Sequence, residues 1–353
     1  MHVHFDLERM AAVKENHDRW WRGELDRPLT SITVTDAYPE IPSAVPPLSQ
    51  ATCADFSHSA EEVIEAMDCA LGSREYLGDA FPIVHFSAFG PGSLAAFCGA
   101  NLDNSSGAVW FFPQKEQEIE EIHAKYDPEN IYVKRIKSLY RAGLEKWNGA
   151  VMMSMPDLGG VMDVAASLRG SENLLMDLYD APEEVLRLIG EIEVAWYEAY
   201  NDFAEVLKPQ NGYTDWSALL SSVPSYITQC DFSYMIGNPM FREFVLPTLR
   251  KDPQKLENVI YHLDGVGELN HLDDILTIEN LHAIQWQMGD GQRPAEEWLD
   301  VYRKIRAGGK EAWIVGKPQS YLKVLSEIHG APYYMQSMKK EQMDLAQQVL
   351  NAR

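Results

Sequence analysis

Short apolar runs alternate with amphipathic stretches of helical period along the whole chain, a pattern that predicts parallel strands joined by crossover helices. Eight runs read as strands: residues 28–37, 81–90, 149–159, 225–233, 258–265, 282–291, 311–318 and 332–337. The stretches between them carry helix punctuation. "SAEEVIEAMDCALG" opens on a serine cap with two early glutamates and stops at Gly72, and a long helix begins around Asp180 and Pro182. "RPAEEWLDVYRKIRAGG" runs out at Gly308 and Gly309.

Eight strands with helices between most of them predict a closed (β/α)8 TIM barrel, a single domain over 1–353 with an N-terminal helical extension over 1–27. An open doubly wound sheet would carry a G-x-G-x-x-G phosphate turn, and the chain has none. Two segments interrupt the alternation. Residues 39–53 are rich in proline and serine, and 211–224, "NGYTDWSALLSSVP", form an inserted loop before strand 4. Long aromatic-bearing loops are often functional lids, although plain surface loops are the more common case.

In a barrel of this type the chemistry sits where the strands end. The polar residues there are Asp36, His85, Ser87, Asp157, Asp231, His262, Asp264, Gln285, Gln287, Asp290, Lys317, Gln336 and Ser337. His262 and Asp264 stand out, because residues i and i+2 of a strand share a face, so a carboxylate there can orient an imidazole and raise its basicity. Gly265 and Gly267 beyond them would let a ligand approach the backbone. Gln285 and Gln287 share a face by the same rule. So do Gln229 and Asp231, which leaves Cys230 pointing the other way as a small buried hydrophobe. Asp157 reads as a ligand contact or as a helix N-cap, with the cap favoured.

Charge narrows the partners. Acidic residues number 53 against 30 basic, a formal net charge of −23, which opposes binding to a phosphate backbone. No stretch approaches the apolar length of a membrane helix and the charged N-terminus lacks a signal-peptide core, so a cytoplasmic protein is expected. The four cysteines have no C-x-x-C spacing and read as reduced thiols.

The order of "RWWRGELDRPL", "FGPGSLAAFCGA", "SLRGSENLLMDLYDAPEEV", "FREFVLPTL" and "YHLDG" resembles the uroporphyrinogen decarboxylase superfamily, which includes methyltransferases that move methyl groups between corrinoid proteins and coenzyme M or tetrahydrofolate. The resemblance implies the barrel and a site at its C-terminal mouth. The departures then sort the reactions. True decarboxylases carry an arginine-rich R-Q-A-G-R loop after strand 1 to bind a substrate with many carboxylates. This chain reads "TVTDAYPEIPSAVPPLSQ" there, with no arginine. The coenzyme M enzymes hold zinc through His-x-Cys and a later cysteine. Here His262 matches the histidine, but Asp264 replaces the first cysteine and "PYYMQS" supplies none. The thiolate zinc site is missing, and any metal at His262 and Asp264 would need a third ligand such as Asp231.

The resemblance therefore implies a corrinoid-linked methyltransferase acting between a corrinoid protein and a small molecule: a methoxy or methylamine compound, or tetrahydrofolate. His262, oriented by Asp264, would supply the proton that the leaving group needs. Asp231, Gln285, Gln287 and Lys317 would hold the substrate, with Asp36 and His85 at neighbouring strand ends and Tyr213 and Trp216 closing over it. The alternatives are a decarboxylase or lyase on a small carboxylate, with Lys317 as the available cation, and a ligand-binding barrel without catalysis. A homodimer remains open.

Overall fold

The computed structural model describes residues 1–353. All eight expected strands form, most of them shorter than their apolar runs, and three more join them. In chain order they are β1 (Leu29–Val34), β2 (Glu75–Gly78), β3 (Ile83–Val84), β4 (Asn101–Asp103), β5 (Trp110–Phe112), β6 (Met152–Met153), β7 (Ser225–Gln229), β8 (Asn258–Asp264), β9 (Leu281–Gln287), β10 (Glu311–Ile314) and β11 (Tyr333–Met338). One sheet has the order β2-β1-β11-β10-β9-β8-β7, parallel except for β2. The first and last of the expected strands, β1 and β11, thus lie side by side. β3 and β6 form a separate parallel pair, and β4 and β5 an antiparallel hairpin.

The expected eight-strand ladder is thus divided between a parallel run and a parallel pair, and no ladder links β3 to β1 or β6 to β7. Local chemistry accounts for the short pair. Pro82 and Pro156 lack the N–H that a longer ladder needs, and the chain turns into a tight helix at Phe86. β2 meanwhile pairs with β1 over Ser31–Val34.

The helices follow their punctuation. In Ala60–Leu71 the Ser59 and Glu62 side chains cap each other's backbone N–H groups, a reciprocal capping box. The N-terminal helix, Leu7–Trp21, is capped by Asp6 and buries Met10, Val13, His17, Trp20 and Trp21. Within the "SLRGSENLLMDLYD" string, Arg169 binds Asp177 through Nε (2.6 Å) and Nη2 (3.1 Å), joining helix Val161–Arg169 to helix Ser171–Asp180. That arginine is structural.

The inserted loop is not a lid. Leu219 and Leu220 are buried, and Leu219 packs with Trp20, Trp21, Ile227, Ile260 and Tyr333 near the N-terminal halves of the strands. The Leu220 N–H donates to His17 Nδ1, and Trp21 Nε1 donates to the Leu220 carbonyl. Buried Asp215 accepts from the Ile227 and Ser217 N–H groups (both 2.8 Å). Two adjacent leucines would lose their burial in a lid swinging through water, so the segment plugs the strand layer from below.

Candidate active site

The site lies where β7, β8 and β9 end. Ladder register sets Gln229 beside His262, His262 beside Gln285, and Asp264 beside Gln287. Three of the expected residues meet: ligand atoms of Asp231, His262 and Asp264 lie within 4.8 Å of one another. His262 Nδ1 makes a short hydrogen bond with Gln285 Oε1, and Nε2 lies 3.8 Å from Asp264 Oδ2. With Nδ1–H donating to the amide oxygen, Nε2 is the nitrogen that faces the carboxylates. Trp216 meets the imidazole edge to face, its ring centroid 5.1 Å away. It belongs to the plug rather than to a cover.

Burial pushes the His262 pKa down. The Asp264 contact, the charges of Asp231 and Asp264, and the Gln285 hydrogen bond outweigh it, and the net shift is upward. Both ring nitrogens face acceptors, which favours the imidazolium over the neutral ring.

Further carboxyls surround this group. Asp163 accepts from the Phe232 N–H (2.8 Å) and the Gly160 N–H (3.2 Å), which fixes the turn after β7. Glu268, fully buried, accepts from the Asp264 N–H (3.1 Å). Burial first, and then the charge of Asp231, push Asp157 and Asp163 up to about 7 and Glu268 well above the carboxylate range. Asp231 is raised too, by burial and Asp264 against the opposing pull of His262. No lysine or arginine forms an ion pair with Asp231 or Asp264, so the site is net acidic.

Asp157 is not the N-cap expected of it. Gly160 occupies that position, and Asp157 is buried with Oδ1 accepting from the Gly159 N–H (3.1 Å). Unfolded, this carboxyl ionises near its ordinary 3.8, whereas the folded one holds its proton to about 7. The folded state therefore binds more protons across that window, and this group's contribution to stability falls as pH rises through it. Asp157→Asn should gain roughly 1–3 kcal/mol on wild type in thermal melts between pH 5 and pH 8. An equal difference at both pH values would contradict a buried, protonated Asp157.

A cavity of about 470 Å³ reaches the cluster through Gln229, Asp163 and Asp231. Its wall is the β4–β5 hairpin, with Trp110, Phe111 and Phe112, faced by Phe232 and Met235. Asp231 is exposed and lines this cavity.

The other expected residues are dispersed. His85 lines a second cavity, bounded by β1, β3 and β11. Asp36 accepts from the Lys340 N–H (2.7 Å). Lys317 is exposed at the start of helix Pro318–Leu325, and Tyr213 pairs with Ser221 at the base of the plug. Gly265 and Gly267 serve Tyr234 rather than a ligand: a Cβ on Gly267 would stand 2.6 Å from that ring. Cys230 is buried as expected, burial raises its thiol pKa well above the usual value, and all four cysteines are unbridged. Sequence reasoning missed Asp163, Glu268 and the aromatic hairpin. Glu268 stands four residues beyond Asp264 in "HLDGVGE", yet its inward direction depends on the turn at Gly265.

No helix is long and apolar enough to cross a membrane. No protein-family model matches the chain, and no curated protein sequence does. Among solved structures, a methyltransferase from Methanosarcina mazei matches with a TM-score of 0.61 at 12% identity, over 96% of this chain and 98% of that one. At that identity the likeness is one of fold: the two chains share a mixed α/β architecture over nearly their whole length.

Proposed function

We propose that this protein is a corrinoid-linked methyltransferase of the uroporphyrinogen decarboxylase superfamily, a single (β/α)8-type barrel that takes a methyl group from a small methylated amine. The observation that carries the reading is the meeting of Asp231, His262 and Asp264 beside a cavity with an aromatic wall, in a chain with a methyltransferase's fold. A net acidic site beside Trp110 and Phe112 suits an organic cation, held by carboxylate charge and aromatic faces. Among methoxy compounds, methylamines and tetrahydrofolate, the amines fit that charge best.

When bound, the cobalt of a corrinoid carried by a partner protein supplies the nucleophile that accepts the methyl group. The exposed side chains of Trp110, Phe112 and Met235 at the cavity would pack against such a group. On the protein's side, Asp231 and Asp264 place the substrate nitrogen, and His262 keeps it protonated until the C–N bond breaks and the electron pair returns to nitrogen. Gln285 fixes the ring, Glu268 holds the Asp264 backbone, and the plug excludes water from below.

The test is methyl transfer to free cob(I)alamin, followed by its visible spectrum, over methylamines, methoxy compounds and methyltetrahydrofolate. Methylated cobalamin with an amine is the expected result. Silence across the panel, with an authentic corrinoid protein also tried, would favour the lyase or ligand-binding reading.

Asp231, His262 and Asp264 also form a donor set of the kind that binds a divalent cation through nitrogen and oxygen, with no thiolate. The proton-donor role and a metal exclude each other at Nε2. Protein purified without chelator should carry no stoichiometric metal by mass spectrometry. A full equivalent that disappears in Asp231→Asn would replace the proton donor with a Lewis acid.

A further inference from the structure

The second cavity, about 210 Å³, is bounded by β1, β2, β3 and β11 and lies apart from the acidic cluster. Arg74 lines it, half-buried, and no ion pair or hydrogen bond within the protein engages its guanidinium. The contrast with Arg27 is direct, because that guanidinium binds both oxygens of Asp79 at 2.6 and 2.8 Å. The Arg74 charge is therefore free to meet an acceptor that enters the cavity. Two further hydroxyls line the same cavity: Tyr76 OH is buried and has no partner, its residue 2% exposed, and Ser31 Oγ is buried beside the Tyr333 hydroxyl. Buried polar groups in native proteins are paired as a rule, so the unmet Tyr76 hydroxyl beside an unpaired guanidinium calls for an acceptor.

We propose that this cavity is a binding site for the carboxylate of a small ligand, with Arg74 as its charge partner and Ser31 and Tyr76 completing its hydrogen bonds. One guanidinium matches one carboxylate in charge and planar geometry, whereas a phosphate dianion would leave a charge uncompensated. His85, Gln336 and Ser337 line the remaining wall. Burial first, and then the Arg74 charge, lower the His85 pKa to about 4, so Arg74 is the only charged group of the site. The volume, roughly the share of seven liquid waters, holds a carboxylate with a few carbons.

Binding here does not rest on the methyl-transfer reading, and calorimetry reads it without turnover. Sodium propionate should saturate the full-length protein with a Kd of about millimolar, and its neutral isostere propionamide should not bind. Arg74→Gln should weaken propionate by about tenfold or more. Arg303→Gln, which removes a guanidinium paired with Glu327 on the surface, should leave it unchanged. Equal binding of the acid and the amide would overturn the assignment on wild-type protein alone. So would unchanged affinity in Arg74→Gln, inorganic phosphate binding more tightly than propionate, or the absence of saturation.

Discussion

His262→Ala is expected to lower methyl transfer by about 10²- to 10⁴-fold, the range that general-acid groups supply. Two features make the loss large. The imidazole is the one base within the acidic cluster, and its proton is held by acceptors at both nitrogens. Alanine also leaves the buried Gln285 Oε1 without its donor, so some loss of stability will accompany the loss of rate. His262→Gln separates the two effects, since an amide can restore a hydrogen bond without supplying a titratable proton. The fold should survive in both, checked by near-UV circular dichroism. A His262→Gln enzyme with near wild-type rate would remove the proton-donor assignment.

The second large effect is on stability. Leu220→Ala should cost about 2–5 kcal/mol, because Leu220 is fully buried and its removal opens a void in the plug. Thermal melts should move down by several degrees. A lid would behave differently: the same substitution would raise KM and leave the melting temperature alone. The plug also carries Trp216 up to His262, so a loosened plug should slow turnover as well as unfold sooner.

Much of the site was legible because period and position are local properties. The i, i+2 rule placed His262 and Asp264 on one face of β8, and ladder register brought Gln285 beside them. Asp231 joined as the next residue but one after Gln229 on β7. The misses share a cause. Arg74 lies between a helix and an antiparallel strand, outside any catalogue of parallel strand ends, and Lys317 stood in its place as the available cation. Trp216 was expected above the site because an aromatic loop gives no hint of which end of the sheet it covers.

Hydropathy period, caps and glycine stops were enough for eight strands, the helices between them and the end of the sheet where the polar groups gather. These follow from backbone geometry and from the requirement that apolar faces be buried, which act over a few residues at a time. Side-chain direction beyond a turn, and the pairing of groups distant in sequence, do not. Leu219 and Leu220 reach Trp20 and Trp21 across some two hundred residues, Tyr234 fills the space over Gly267, and Glu268 turns inward beneath Asp264. The acidity of the site arises there as well, since the carboxyls that shift one another are contributed by separate segments and interact strongly because burial excludes the water that would screen them.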